Sequence, residues 1–321
     1  MTAGLAVAIV GAGRMGQEHA AALTAAGDRV RWVIDADPRS AAALAGAHGA
    51  ESGTDLDRLL ATTTPDAVVI ATPSEQHLSQ ALRCAHLPTL LEKPPWLGDQ
   101  DPTPLVAASR VAGRLVAVGM TTRFDPAICS VQKAVSAGRI GQVLSIDDTI
   151  NFVLGDESLP AWYHQPHHRG GGIVQTNGVH ALDRVSWILG ELPRLVTARA
   201  GSTARTDPIE DSATIVLTTD TASVTVNVLW SQYEPPPTRL TVVGTLGTAT
   251  AFADGSWQVT TIDGTEQGAA APDRNNYLTQ WHAFRAALAD PRAPSTIPTV
   301  YDLVGPMTLL SQTIATLDIR G

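Results

Sequence analysis

Solid apolar runs alternate with stretches of helical composition over the first 120 residues. Leu5 to Val10 is the first run, and Arg14 to Ala26 reads as a helix closed by Gly27, the usual residue past a helix C-terminus. Val30 to Ile34 is a second strand. Asp37 then caps, and Pro38 opens, an alanine-rich helix to His48. Thr54 caps a short helix through Leu60, Ala67 to Ala71 is a third strand, and Glu75 to His86 a third full helix. Thr89 to Glu92, Pro104 to Ala112 and Leu115 to Met120 continue the order strand, helix, strand. This spacing predicts a mostly parallel, doubly wound sheet.

The pattern changes near Thr121. Asp125-Pro126 opens a helix ending at Gly138, and Gln142 to Leu154 begins a long β segment. Ala213 to Thr219, Ser223 to Trp230, Leu240 to Val243, Thr248 to Phe252 and Trp257 to Ile262 follow as strands joined by short Thr, Asp and Gly-rich turns. Consecutive strands of this kind form an antiparallel sheet. One helical segment, Ile173 to Leu189, interrupts the series, and the chain finishes with helices at Tyr277 to Leu288 and Val300 to Leu317.

Composition narrows the class without changing this outline. The chain has 321 residues, 44% hydrophobic and 17% charged, which suits a two-domain globular enzyme. A net charge of -9 is spread along the chain, so neither nucleic acid nor an anionic membrane is expected as a partner. No basic leader, small-residue cleavage site or membrane-length apolar stretch stands out. Cys84 and Cys129 lie far apart inside helical segments and read as small buried residues, so a cytoplasmic protein is expected.

The candidate chemistry starts at the first strand-to-helix turn. Gly11, Gly13 and Gly16 stand in G-x-G-x-x-G order: the first permits a tight turn, the second lets backbone N–H groups approach a pyrophosphate, and the third lets the helix pack close to the strand. The helix N-terminus adds its positive end. Asp35, at the end of the second strand, stands where an acid accepts hydrogen bonds from an adenosine ribose. NAD is therefore the expected cofactor, in preference to NADP, with Arg39 the residue that favours a 2′-phosphate.

Taken in order, GAGRMG (11 to 16), ATPSEQH (71 to 77), LEKP (91 to 94), TRFDPA (122 to 127), GRIG (138 to 141), GGGIVQTNGVHALD (170 to 183) and GTLGT (244 to 248) resemble the glucose-fructose oxidoreductase, inositol dehydrogenase and rhizopine catabolism protein family, Gfo/Idh/MocA. The resemblance covers nearly the whole chain. It implies an α/β architecture: an N-terminal doubly wound Rossmann domain, residues 1–121, and a C-terminal α+β domain, residues 122–299, with a large, mostly antiparallel open sheet. That sheet is expected to mediate a homodimer or homotetramer, and a last helix, residues 300–318, to pack back on the first domain. The implied activity is NAD-dependent hydride transfer at a secondary hydroxyl or keto group of a sugar, cyclitol or related polyol. NAD-assisted glycoside hydrolase or lyase chemistry, and a non-catalytic dinucleotide or sugar sensor, are the alternatives.

The resemblance also implies roles. Lys93, which follows a strand and precedes Pro94, and His180, in G-x-H-x-x-D, are the expected acid–base residues at the substrate hydroxyl. Arg14, Met15, Thr72, Pro73, His77, Glu92 and Lys93 itself join the glycines and Asp35 around the cofactor. Arg123, Tyr163, Thr176, Asn177 and Asp183 are expected at the substrate. Thr176 departs from the family, which commonly has an aspartate there, one turn before the histidine; Asp183 is the candidate to compensate, with Arg184 as its other possible partner. Trp162, His164, His167 and His168 share a loop with Tyr163, but no acid or cysteine is interleaved and the family needs no metal, so none is expected.

Overall fold

The computed structural model describes residues 4–111, 115–153, 171–202, 209–290, 295–317 and 319–320. Two compact units emerge, Met1–Thr121 with Asn275–Leu303, and Thr122–Arg274 with Val304–Gly321.

The first unit is doubly wound. Its elements are β1 (Ala6–Val10), α1 (Arg14–Ala25), β2 (Arg29–Ile34), α2 (Pro38–His48), β3 (Glu51–Gly53), α3 (Leu56–Thr62), β4 (Ala67–Ile70), a 3-10 turn Ser74–Gln76, α4 (His77–Cys84), β5 (Thr89–Leu91), α5 (Thr103–Val111) and β6 (Val116–Val118). The strands pair in parallel in the order β3-β2-β1-β4-β5-β6. Both faces are covered by helices, so the central strands carry no polar alternation: Val7, Ile9, Val68, Val69, Leu90 and Leu91 are fully buried. The order reverses between β1 and β4, and the carboxyl ends of those strands are where such sheets bind ligands.

The second unit begins with a 3-10 turn, Thr121–Phe124, and continues as α6 (Pro126–Ser136), β7 (Val143–Val153), a π-helical turn Val174–Gly178, α7 (Val179–Leu189), β8 (Arg194–Gly201), β9 (Ser212–Thr218), β10 (Ser223–Ser231), β11 (Arg239–Gly244), β12 (Gly247–Phe252), β13 (Ser256–Thr261) and β14 (Gly264–Ala269). α8 (Asn276–Ala289), α9 (Val304–Thr316) and β15 (Ile319–Arg320) complete the chain. The sheet order is β14-β13-β12-β11-β7-β10-β9-β8-β15, antiparallel except at β7-β10 and β8-β15. Its residues alternate as one covered face requires: Val224, Val226, Val228 and Trp230 are buried, while Thr225, Asn227 and Leu229 between them are half-exposed.

Several expectations need correction. The short helix of residues 56–62 is capped by Asp55, which accepts from the N–H groups of Asp57 and Arg58, and not by Thr54. The helix expected from Glu75 opens as the 3-10 turn. β3, β8, β14 and β15 had no counterpart in the reading: β3 is three residues long, β15 two, and in β14 (GTEQGA) both faces are open, so hydrophobic alternation is absent. The last helix does not join the first unit. α9 packs on α7 and β8, and α8 takes the other place, packing on α1. Trp281 and Phe284 of α8 stack in the core, and the Trp281 Nε1–H donates to Asp28 at 2.7 Å. Asp28 also accepts the Leu5 N–H, so one buried carboxylate ties α8 to the first strand's entry.

Candidate active site

The turn between β1 and α1 is built by its glycines. Gly11 has φ 101, and a Cβ there would strike the Ala71 carbonyl at the end of β4. A Cβ on Gly16 would collide with the Gly11 carbonyl, so the helix lies directly on the turn. Gly13 is different: nothing lies within 4 Å of its would-be Cβ. It is also the N-cap of α1, with no side chain bonded to the helix end and no acid in the first turn. This leaves backbone donors and helix dipole available to an outside anion. Arg14 is exposed, and Met15 is half-buried with its sulfur accepting from the Tyr277 hydroxyl at 3.1 Å.

Asp35 is fixed beside that turn. Its Oδ2 accepts the Ala12 N–H at 2.7 Å and its Oδ1 the Asp37 N–H at 2.9 Å. Each carboxylate oxygen has capacity for a further donor, so the group is oriented and still able to accept ribose hydroxyls.

The ends of β4 and β5 carry the next group. Thr72 donates through its hydroxyl to Gln80 at 2.7 Å, and Pro73 is half-buried beside it. His77 is expected near the cofactor. The structure buries the ring and places Nδ1 2.7 Å from the Pro94 carbonyl and Nε2 2.8 Å from the Thr72 carbonyl. The ring thus lies between the two loops; burial pushes the imidazole below its usual pKa against the pull of the two carbonyls, and the neutral ring donates to one of them at a time.

Lys93 follows β5, joined to Pro94 by a cis peptide bond. Burial lowers its ammonium below the usual lysine range, the Glu92 carboxylate opposes that shift, and Arg14 adds to it. Glu92 itself is 4% exposed. Burial alone would raise its carboxyl, but the hydrogen bond and charge of His19, with Lys93 and His77 nearby, hold it below the usual value. Glu92 thus faces His19, whose Nε2 lies 2.8 Å from its Oε1.

In the second unit, Gly172 (φ 84) leads into the π turn because a Cβ there would strike the Glu210 carboxylate, whose Oε1 accepts the Val174 N–H at 3.2 Å. Thr176 is buried and its hydroxyl donates to the Gly172 carbonyl at 2.7 Å. Asn177 accepts the Trp230 Nε1–H from β10 at 2.9 Å. His180, 8% exposed, is the second residue of α7. Asp183, fully buried, pairs with Arg123 through both oxygens, and the Arg123 guanidinium lies 5.3 Å from the Trp187 ring. These two expected substrate ligands therefore occupy one another. Arg184 takes a different acid, Asp148 on β7, again through two bonds. Tyr163 and the neighbouring Trp162, His164, His167 and His168 lie outside the described residues.

Three participants had not been singled out from the sequence: His19, Tyr277 and Trp230. His19 had a readable signal, because it stands three residues after Gly16, on the same inward face of α1. Tyr277 and Trp230 are brought in by long-range packing and had none.

Known proteins match this arrangement along its length. Residues 5–120 match the model described as "Oxidoreductase family, NAD-binding Rossmann fold", and residues 128–250 the "GFO/IDH/MocA C-terminal domain". Inositol 2-dehydrogenase of Rhizobium meliloti (strain 1021) is 37% identical over 60% of this chain and 57% of its own length, so the match spans just over half of that relative. Inositol 2-dehydrogenase 2 of Paenarthrobacter aurescens (strain TC1) is 31% identical over 90% of this chain and 89% of its own. Among solved structures, GenD2 from gentamicin A biosynthesis in complex with NAD superposes with a TM-score of 0.84 at 26% identity, covering 98% of this chain and 95% of the other. No described helix is long and apolar enough to cross a membrane.

Proposed function

The chain belongs to the Gfo/Idh/MocA family of NAD-binding oxidoreductases, and from that premise we propose that it oxidises a secondary hydroxyl of a sugar, cyclitol or related polyol, or reduces the corresponding ketone, with NAD as hydride carrier. The observation that carries this reading is Lys93, a partly buried amine held below the ordinary lysine range at the carboxyl end of a parallel strand.

The residues of the first turn fit a dinucleotide. The open Gly13 and the uncapped start of α1 suit a pyrophosphate, and the two free capacities of Asp35 suit the two ribose hydroxyls. NAD, when bound, supplies the hydride acceptor of alcohol oxidation or the hydride donor of ketone reduction. In the oxidising direction the neutral Lys93 amine takes the hydroxyl proton as the carbon–hydrogen bond breaks, and in reduction its ammonium returns that proton. His180 is the second acid–base group. Thr176 supports it by holding the π turn in place and adds no charge of its own. A carboxylate at Asp35 disfavours the 2′-phosphate of NADP.

The substrate-facing role of the second unit and the roles of Arg14, Met15, Thr72, Pro73 and Asn177 belong to the same proposal. Tyr163 remains a candidate for the substrate side. The sheet face opposite α7, which carries Thr149, Thr225, Asn227 and Leu229, is proposed to meet its equivalent in a second copy, giving a homodimer or homotetramer in the cytoplasm. The reading is tested by following NAD reduction with a panel of cyclitols and sugars, myo-inositol included, for the wild-type chain and Lys93→Ala.

A further inference from the structure

The Glu92 carboxylate is enclosed by three elements of the first unit. His19 Nε2, on α1, lies 2.8 Å from Oε1, the Lys93 N–H donates to Oε2 at 3.1 Å, and a Cβ on Gly119, just past β6, would stand 3.1 Å from Oε1. His19 is 1% exposed. Its ring meets the edge of Tyr277 at a centroid distance of 5.2 Å, and the Tyr277 hydroxyl reaches Met15 in the glycine turn. A continuous set of contacts therefore runs from α8 across the dinucleotide helix to the residue after β5. A carboxylate with a donor on each oxygen and backbone packed behind it has its rotamer fixed.

We propose that His19 and Glu92 form a positioning pair for Lys93: the imidazole fixes the carboxylate, and the carboxylate fixes the Lys93 backbone and keeps a negative charge beside its amine. Both side chains are buried, so they act on the reaction through Lys93. The inference rests on the reading of Lys93 as the proton-transfer group, and it extends that reading to two residues on separate elements.

The sign of the charge effect follows from the groups around the amine. Burial and the Arg14 cation disfavour the ammonium, while Glu92 favours it; His77, which opens α4, also interacts electrostatically with both Lys93 and Glu92. Removing the Glu92 charge takes away an interaction that favours the ammonium, and Lys93 then loses its proton at lower pH.

Composition makes this directly measurable, because the chain has two lysines, Lys93 and an exposed Lys133. Protein labelled with ε-13C-lysine gives two side-chain resonances to titrate, assigned with Lys133→Arg. Glu92→Gln should lower the Lys93 midpoint by about one pH unit or more, with Lys133 unmoved as the control. In 15N-lysine protein, His19→Leu should speed amide exchange at Lys93 by about tenfold or more, whereas His19→Gln, which keeps an N–H donor, should hold it near wild type. These His19 variants carry the test even if Glu92→Gln does not fold. An unchanged Lys93 midpoint in a folded Glu92→Gln protein, or unchanged exchange in His19→Leu, overturns the pair. Neither measurement needs a substrate, so that outcome leaves the assignment of Lys93, which turnover tests, standing.

Discussion

Arg123 grips Asp183 with both arms of its guanidinium, Nε to Oδ2 at 2.8 Å and Nη2 to Oδ1 at 2.7 Å, and the pair is 8% and 0% exposed. The next residue, Arg184, grips Asp148 of β7 in the same way. Two buried pairs from consecutive positions of α7 fix that helix both to the 3-10 turn Thr121–Phe124 and to the sheet. His180, one turn earlier on the same helix, inherits its direction from them.

Breaking one partner of such a pair strands the other charge in the interior. Asp183→Asn should therefore destabilise the second unit by about 3–5 kcal/mol, read from urea unfolding. The double replacement Arg123→Met with Asp183→Leu should cost clearly less, since no charge is left unpaired. A loss below about 1 kcal/mol for Asp183→Asn would show the pair to be solvated.

The fixed carboxylate of Asp35 sets the expected cofactor choice. NAD should bind more tightly than NADP in calorimetric titration, and Asp35→Ser should narrow the difference by removing the charge that repels a 2′-phosphate. Tighter NADP binding by the wild-type chain would sink this assignment.

The alternation of solid apolar runs with helices made the doubly wound half readable, and the glycine order with Asp35 made its ligand end readable. Each rests on local spacing. What could not be read depends on packing between distant segments. Asp183 could have met Arg184, its neighbour, and only the turn of α7 against residues 121–124 gives it Arg123 instead. His77 lies in a recognisable motif, yet the two carbonyls that bury its ring belong to separate loops. The exchange of α8 for α9 on α1 had no local signal either, because the contact that places α8 is long-range: the Trp281 Nε1–H donates to Asp28 of the first unit.

Burial of Lys93 predicts the pH dependence of turnover. Oxidation needs the neutral amine, so kcat should rise with pH through a midpoint below the ordinary lysine value of about 10.4. Reduction needs the ammonium and should fall over the same range. An oxidation profile with no fall toward acid anywhere below the ordinary lysine value would mean that Lys93 does not carry the proton.

The polar and apolar mixture on the half-exposed face of the large sheet should support self-association. Sedimentation velocity at micromolar concentration should give a dimer or tetramer, and Thr225→Lys with Leu229→Glu, both on that face, should shift it toward monomer. Wild-type protein that sediments only as monomer would contradict the proposed interface.

The most direct test of the central claim is NAD reduction at 340 nm by the wild-type chain and by Lys93→Ala, with the polyol that the panel selects. The account predicts a kcat about 10²- to 10⁴-fold lower in Lys93→Ala with NAD affinity nearly unchanged, and no rescue by Lys93→Arg, because a guanidinium cannot give up its proton. Full turnover by Lys93→Ala, or no NAD reduction by the wild-type chain with any member of the panel, would contradict it.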